Sequence, residues 1–273
     1  MDSTNKAIQN KGWFSSVPLE LHGHRKKLNY FVKQLDWYQL EHKLIPTDVS
    51  VIEVGCSNGR NISLPLSELG YRITGVDIHQ PSIDWAKSHN NFKNAEFICQ
   101  DFNNFDSSKL FDVVILSDIL EHVPNPDEIL NLAKKHIKKE GMVLVCIPNG
   151  YGPYENEQRF LRNTHLDRLV DKLRRFIKHM LGRKPEKQAE YNYDSGHVQF
   201  FRQSDLEELV NNVGLFVENR SNGALFGGGL TYSLGIILPF IVKPSLWIAD
   251  QLPSKFVTTW YFRLSCKDNK KEE

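Results

Sequence analysis

Several features that define common protein classes are scarce in this chain of 273 residues. It contains only 4 cysteines, which are far apart, and three of them lie in or beside apolar, strand-like runs. This spacing argues against a disulfide framework or a zinc site. Reduced thiols in a reducing cytoplasm are therefore expected.

An excess of charge of one sign is also lacking. The 34 Lys and Arg residues nearly balance the 33 Asp and Glu residues, which leaves a net charge of +1. No global field favours nucleic acid, so we expect no nucleic-acid partner. Residues 1–11 are polar and lack the apolar core of a secretory signal, so we expect a flexible lead-in and a cytoplasmic location.

Long apolar runs are almost absent. Residues 224–242 carry no charge and approach the length of about 20 residues that a membrane span needs. However, glycines and Pro239 interrupt the run, and a strand-like segment at 256–264 must return to the same sheet. We therefore expect a substrate lid or an interfacial patch at residues 224–252.

Strand-like and helix-like segments alternate between residues 46 and 150. The predicted strands are residues 51–54, 71–76, 95–99, 111–117 and 141–147. The predicted helices between them are residues 58–69, 81–89 and 126–138. Alternation with almost continuously apolar strands is typical of a parallel sheet covered by helices on both faces.

The flanking regions extend this core. Helical apolar spacing at residues 28–44 predicts a helix that covers the sheet, and the strand pattern resumes after residue 196. The predicted organisation is an N-terminal tail and covering helix (1–45), a cofactor-binding core (46–150), a basic helical insertion (151–196) and the last strands of the core (197–273).

The insertion contains an amphipathic segment at residues 166–181 with many Lys and Arg side chains. One interpretation is a solvated helix packed on the domain. The other is peripheral contact with an anionic membrane surface, in which the apolar run at 224–252 also takes part. Both interpretations stay open at this point.

The most informative segment follows the first predicted strand, where Glu53 precedes a turn bracketed by Gly55 and Gly59. Glycine permits a positive φ and a close approach to a ligand, and the following helix offers N–H donors. This pattern favours a cofactor-binding turn, although similar turns also occur without a ligand.

Polar residues at other strand ends point to a nucleoside. In open parallel sheets, ligands bind at the carboxyl ends of the strands. Asp77 ends the second strand and is placed to accept hydrogen bonds from both hydroxyls of a ribose, while Asp101 ends the third and is suited to an exocyclic amine. Either acid can instead cap the helix that follows it.

The spacing of the glycines bears on which nucleoside binds. A dinucleotide-binding turn needs Gly-x-Gly-x-x-Gly against pyrophosphate, whereas an acid precedes the first glycine here and Cys56, Ser57 and Asn58 separate the two. An NAD-dependent oxidoreductase is thus disfavoured.

Residues 53–59 (EVGCSNG) resemble the first motif of class I S-adenosylmethionine-dependent methyltransferases, with Ser57 in place of the middle glycine. The resemblance extends to GVDI (75–78), QDF (100–102) and FDVVILSDILEHVPNP (111–126). The last run is similar to the small-molecule branch that includes the ubiquinone-biosynthesis O-methyltransferases. This resemblance implies an α/β fold with a doubly wound, mostly parallel, Rossmann-like seven-stranded sheet, helices on both faces, a helical N-terminal cover and a helical insertion before the last strands.

The resemblance also implies S-adenosylmethionine as the cofactor. The implied binding residues are Glu53, Gly55, Cys56, Gly59, Asp77, Ile78, Asp101, Phe102 and Ser117. Glu53 and the two glycines surround the methionine part of the cofactor, and the acidic side chain of Glu53 favours a cationic cofactor. Asp77 contacts the ribose, Asp101 and Phe102 contact the adenine, and Ser117 lines the methyl-transfer channel.

His122 is the predicted catalytic base, since an imidazole titrates near neutrality. The competing role for His122 is to order the turn after the fourth strand. Asp118, Glu121 and His122 also resemble a cluster linked to divalent-metal use in the ubiquinone-type relatives, and this set suits a magnesium-like ion. His197 and Tyr193 lie where the chain re-enters the sheet and face either the acceptor or a core or loop.

The expected function is methyl transfer from S-adenosylmethionine to an oxygen or nitrogen of a small or lipid-linked acceptor. Peripheral contact at the inner membrane face through residues 166–181 and 224–252 accompanies this expectation. A non-catalytic, cofactor-binding regulatory or assembly subunit is the alternative. A nucleic-acid methyltransferase is disfavoured by the near-neutral charge.

Overall fold

The computed structural model describes residues 12–17, 19, 23–106, 108–180, 196–227, 231, 235 and 237–266. These residues include seven strands that form one sheet. The strands are β1 (Ser50–Val54), β2 (Arg72–Asp77), β3 (Ala95–Cys99), β4 (Phe111–Ser117), β5 (Ile137–Pro148), β6 (Phe216–Asn222) and β7 (Thr259–Ser265).

The sheet has the strand order β3-β2-β1-β4-β5-β7-β6. Strands β1 to β5 pair in parallel, whereas β7 is antiparallel to both β5 and β6. The chain runs outward from β1 to β3 and then returns to the other side of β1 with β4. The predicted doubly wound, mostly parallel sheet is confirmed, and the reversal between β1 and β4 marks the place where such sheets bind ligands.

Helices flank the sheet within the described ranges. They are α1 (Trp13–Ser16), α2 (His24–His42), α3 (Ser63–Glu68), α4 (Gln80–His89), α5 (Pro126–His136), α6 (Pro153–Asn163), α7 (Asp167–Met180), α8 (Gln203–Asn212) and α9 (Val242–Gln251). Short 3-10 helices occur at Pro46–Asp48, Phe102–Asn104, Pro239–Ile241 and Ser254–Phe256.

Both faces of the sheet are buried, because adjacent strand residues point to opposite sides. Val51 packs in one core with Leu28 of the covering helix α2. The next residue, Ile52, packs in a second core with Leu130 of α5 and Leu206 of α8. Burial of each such side chain contributes about 1.5–3 kcal/mol, so apolar contact holds helices on both faces.

Several predicted boundaries differ from the structure; the strand predicted at 141–147, for example, begins at Ile137, and two helix boundaries have a clear local cause. The helix predicted at 58–69 begins only at Ser63, because turns occupy its first part: the side-chain oxygen of Asn58 accepts a hydrogen bond from the Arg60 N–H at 3.2 Å. The helix predicted at 126–138 ends at His136, because Ile137 already pairs with Phe111 of β4.

The predicted insertion contains α6 and α7. The apolar stripe of α7 is mostly open to solvent: Leu169 is 62%, Leu173 50%, Phe176 60% and Met180 69% exposed. Only Val170 on this helix is buried against the domain among its described side chains. Residues 181–195, including Tyr193, lie outside the described part of the chain.

The described part of the apolar segment packs on the sheet at one side and is exposed at the other. The Asn222 side-chain amide donates to the carbonyls of Ala249 and Leu252, both at 2.8 Å, which fixes α9 beside β6. Phe240 and Trp247 are 73% and 66% exposed. None of the helices in the described ranges is both long enough and apolar enough to cross a membrane.

Candidate active site

The carboxyl ends of β1, β2 and β4 meet where the strand order reverses. The loop after β1 is fastened to β2, because the N–H groups of Gly55 and Cys56 donate to the Val76 carbonyl at 2.7 and 3.0 Å. Gly55, Ser57 and Gly59 have φ values of 68°, 48° and 67°. The loop therefore uses left-handed conformations at three positions, of which only the one at Ser57 costs about 1 kcal/mol or more.

Packing also requires both glycines. A Cβ added at Gly55 lies 1.9 Å from Cδ1 of Ile119, and one at Gly59 lies 2.6 Å from Cε1 of Phe97. The tight turn thus has the predicted shape. Contacts within the protein are sufficient to explain why glycine occupies these two positions.

Asp77 joins the end of β2 to this loop. One carboxylate oxygen accepts the Ser57 N–H at 2.7 Å, and the other accepts the His79 N–H at 2.8 Å. A carboxylate has about four acceptor positions, so both oxygens keep capacity for further donors. The partly exposed side chain is therefore oriented by the loop and still able to accept hydroxyl hydrogen bonds.

Glu53 is buried beneath the loop and accepts a hydrogen bond from the Ser63 hydroxyl at the start of α3. Burial raises the pKa of its carboxyl to about 8, although the Ser63 hydrogen bond and the charge of Lys27 act in the opposite direction. Even with the charge of Lys27 nearby, the Glu53 carboxyl is therefore mostly protonated at neutral pH in this structure.

The other predicted cofactor residues on this side have different surroundings. Asp101 caps its own turn, because its Oδ1 accepts the Asn103 N–H at 2.9 Å, as the capping alternative anticipated. Phe102 is buried against Phe105 and His136. Ile78, in contrast, is 69% exposed beside Asp77.

Cys56 is buried with Leu64, Ile83 and Phe97, and burial raises the pKa of its thiol well above the ordinary value. Its side chain therefore stays protonated and apolar in character. Its backbone is used within the loop, because the N–H donates to the Val76 carbonyl and the carbonyl accepts the Gly59 N–H at 2.8 Å.

An ion pair lies at the end of β4, between the buried Lys27 and Asp118, whose side chain is 39% exposed. Lys27 of α2 contacts Asp118 at 2.5 Å, and Asp118 also accepts from Ser117 Oγ at 3.1 Å and from Cys146 Sγ at 3.2 Å. Burial opposes the charge on both partners, but their attraction dominates: it raises the pKa of Lys27 and lowers that of Asp118. The covering helix is thus tied to the strand that carries Ser117.

A polar cavity of about 190 Å³ opens next to this pair. It lies between α2 and the ends of β4, β5 and β7. Its lining includes Lys27, Glu121, His122, Tyr154, His197 and Tyr261. For scale, an apolar cavity of about 150 Å³ is large enough to hold benzene. One small ring therefore fits here.

Two histidines meet in the cavity, with ring centroids 4.9 Å apart. His122 Nδ1 lies 3.3 Å from the Gly196 carbonyl, and its Nε2 lies 3.8 Å from Glu121 Oε1. His197 Nδ1 lies 2.8 Å from Oε1 of the buried Glu155. His197 therefore has the closer carboxylate partner.

The predicted metal ligands are only partly brought together. Within the described ranges, the His, Cys, Asp and Glu ligand atoms that all lie within 4.8 Å of one another belong to Glu121, His122 and His197. Asp118 is not among them, and its carboxylate instead contacts the Lys27 ammonium. Two imidazoles and one carboxylate do not fit magnesium, which prefers oxygen ligands, so we route no chemical step through such an ion.

Sequence reasoning missed Lys27 and Glu155. Lys27 precedes Phe31 by one helical turn and so shares the buried face of α2, which is a signal the sequence does contain. Glu155 lies in the insertion, and nothing local relates it to His197. That pairing is visible only in three dimensions.

The chain is similar to known proteins over most of its length. The sequence profile described as "Methyltransferase domain" matches residues 24–219. The ubiquinone biosynthesis O-methyltransferase of Rickettsia akari (strain Hartford) is 32% identical over 127 residues, which are 45% of this chain and 48% of that protein. The ubiquinone biosynthesis O-methyltransferase of Rickettsia bellii (strain OSU 85-389) is 25% identical over 196 residues, or 70% of each.

The match to the Rickettsia akari protein thus spans about half of that relative's length. Among solved structures, the magnesium protoporphyrin IX methyltransferase of Synechocystis PCC 6803 with bound SAH aligns with a TM-score of 0.52 and 14% identity, over 96% of this chain and 94% of that chain. At this identity the likeness establishes a shared fold.

Proposed function

This chain belongs to the methyltransferase domain family, and from that premise we propose that it transfers a methyl group from S-adenosylmethionine to an oxygen or nitrogen of a small or lipid-linked acceptor. One observation carries this proposal. The loop after β1 and the Asp77 carboxylate are joined by a hydrogen bond of 2.7 Å at the place where the strand order reverses. Ligands of doubly wound sheets bind there.

The residues of this crevice fit the cofactor in chemical type. Asp77 has free acceptor capacity for two ribose hydroxyls, and the exposed Ile78 beside it offers an apolar surface to the adenine ring. Asp101 and Phe102 border the adenine end, although Asp101 keeps its bond to Asn103. The polar adenine and ribose groups therefore lie toward β2 and β3.

The methionine end lies toward β1 and β4 in this proposal. The backbone of Gly55, Cys56 and Gly59 lines this end of the site. Glu53 loses its proton when the cofactor binds, and its carboxylate then balances the positive charge of the sulfonium. Ser117, whose hydroxyl donates to the cavity-lining Asp118, lines the passage to the cavity in this proposal. When bound, the cofactor supplies an electrophilic methyl group on sulfonium, and the protein aligns the acceptor for in-line displacement.

The acceptor occupies the cavity beside Ser117. Residues 46–150 form the cofactor-binding core, and the insertion and the last strands complete the side of the site that holds the acceptor. The contact of His122 with the Gly196 carbonyl supports the turn-ordering role for His122 over the role of base. A lone pair on the acceptor oxygen or nitrogen attacks the methyl carbon.

We place the protein in the cytoplasm, at the inner membrane face. Four apolar side chains of α7 are at least half exposed, namely Leu169, Leu173, Phe176 and Met180. Arg168, Lys172 and Arg175 on the same helix suit anionic head groups. Contact through α7 and the exposed side chains of 224–252 gives access to a lipid-linked acceptor.

Calorimetry and a labelled-methyl assay test the proposal together. We expect S-adenosylhomocysteine to bind and NAD not to bind. Incubation with methyl-labelled S-adenosylmethionine and lipid, quinol or sugar extracts is expected to label an acceptor. Binding of NAD instead indicates an oxidoreductase, whereas cofactor binding without transfer to any extract indicates a non-catalytic subunit.

A further inference from the structure

The cavity contains a second histidine, His197, to which the proposed function assigns no role. We propose that His197 is the general base of the methyl transfer and that Glu155 positions it. The inference rests on the proposed function, because a base is needed only if an acceptor hydroxyl or amine is methylated here.

The first support is the contact between the two side chains. His197 Nδ1 lies 2.8 Å from Glu155 Oε1, and the Glu155 side chain is 4% exposed. A carboxylate oxygen can only accept, so Nδ1 carries the proton of a neutral imidazole and Nε2 carries the lone pair. A base oriented by a buried carboxylate is the arrangement that activates acceptors in many transferases and hydrolases.

The second support is the position of the ring. His197 lines the cavity beside His122 and Tyr154, whereas Glu155 lies behind it and is not part of the lining. The nitrogen bound to Glu155 therefore faces away from the cavity, which leaves Nε2 on the cavity side. The ring is in reach of an acceptor that enters beside the end of β4.

The third support is that the backbone holds this segment in place. The N–H groups of Val198 and Gln199 both donate to the Glu121 carbonyl, at 2.9 and 3.1 Å. The segment that carries His197 is therefore hydrogen-bonded to the loop that follows β4. Ser117 ends that strand, and Asp118 begins the loop. A fixed base loses little entropy when the acceptor binds.

His122 is less suited to the same task. Its distance to Glu121 Oε1 is 3.8 Å, longer than a hydrogen bond. The carboxylate oxygen of Glu155 lies closer to His197, at 2.8 Å from Nδ1.

When the acceptor is a hydroxyl, its oxygen attacks the methyl carbon, and an O–C bond forms while the S–C bond breaks. The hydroxyl proton passes to His197 Nε2, and the electron pair of the broken S–C bond stays on sulfur, which leaves neutral S-adenosylhomocysteine. The resulting imidazolium, stabilised by Glu155, releases its proton to water. An amine acceptor loses its extra proton in the same way.

The test uses the full-length protein and the extract fraction that the wild type methylates with labelled S-adenosylmethionine. In His197→Ala we expect kcat to fall by about 10²- to 10⁴-fold, the usual contribution of a general base. The affinity for S-adenosylhomocysteine should stay within about twofold. Added imidazole should restore part of the rate, because the truncated side chain leaves room for it.

The pH profile separates catalysis from structure. On its acid side, kcat/KM of the wild type should fall about tenfold for each pH unit as the base becomes protonated. His197→Ala should lose this limb, whereas the matched variant His122→Ala should keep it. In Glu155→Gln the limb should move in pH and kcat should fall, since the amide retains the hydrogen bond but not the charge.

His197→Gln is the second variant should the alanine variant fail to fold, because its amide can still donate to Glu155. A His197 variant that keeps kcat within about threefold of wild type, or keeps the acid limb, overturns the inference. If the wild type binds S-adenosylhomocysteine but methylates nothing, the proposed function fails, and this inference fails with it for that separate reason.

Discussion

The buried carboxyl of Glu53 makes stability depend on pH in a way that can be isolated. Its pKa rises from 4.5 to about 8 on folding, chiefly through burial. Between these two values the folded state binds more proton than the unfolded state, so the free energy of unfolding must fall as pH rises. Below about pH 4.5 this contribution is fully present, and above about pH 8 it is lost.

The change that isolates it is Glu53→Gln, which keeps an acceptor for the Ser63 hydroxyl and removes the titration. At about 1.4 kcal/mol for each pH unit, the variant gains about 3 kcal/mol over wild type between pH 4.5 and 7, and about 4 kcal/mol by pH 8, where the folded carboxyl is half ionised. Urea unfolding from pH 5 to 8 measures this difference.

The exposed Glu208 of α8 provides a matched control. Glu208→Gln should change stability by less than about 0.5 kcal/mol at every pH. A difference between Glu53→Gln and wild type that stays constant from pH 5 to 8 would show that Glu53 is ionised in the folded protein. The reasoning about its burial would then be wrong.

Three further predictions test other parts of the structure. Asp77→Ala should weaken S-adenosylhomocysteine binding at least about tenfold, or about 1.4 kcal/mol, in calorimetry, and unchanged affinity would rule out the ribose contact. Lys27→Ala should cost about 1.5–3 kcal/mol in urea unfolding by removing the charged hydrogen bond to the partly exposed Asp118, with Lys27→Ala/Asp118→Asn costing less; a loss under about 1 kcal/mol for the single variant contradicts this contribution. Phe176→Ser should reduce flotation with anionic liposomes at low salt, while the control Leu40→Ser, at an apolar residue of α2 that is even more exposed, does not. Equal flotation of both variants speaks against membrane contact through α7.

The core of the fold was predictable because its signals are local. β3 and β4 have the predicted bounds, since each is an apolar run that ends at a polar residue. The late start of α3 was not predictable, because the turn before it depends on contacts with β2 and on the Asn58 side chain. Periodicity alone treats those residues as helical.

The residues of the candidate site likewise fall into two groups: those that local sequence signals predict and those that only tertiary packing brings together. Asp77 and the glycine turn follow from strand-end positions and from a motif, and the structure places them in contact through Ser57. The sequence leaves His197 facing either the acceptor or a core or loop, because its partner Glu155 of α6 is brought to it only by tertiary structure. Tertiary pairs between distant polar residues leave no periodic trace in a sequence.

The position of β7 has a consequence for synthesis of the chain. β7 is the last of the seven described strands in sequence, yet it lies between β5 and β6 and is the hydrogen-bonded neighbour of both. Until residues 259–265 have left the ribosome, β6 has no partner in this sheet and one side of β5 stays open. Such open edges pair readily with other chains, so the nascent protein is most exposed to aggregation just before its final strand is inserted.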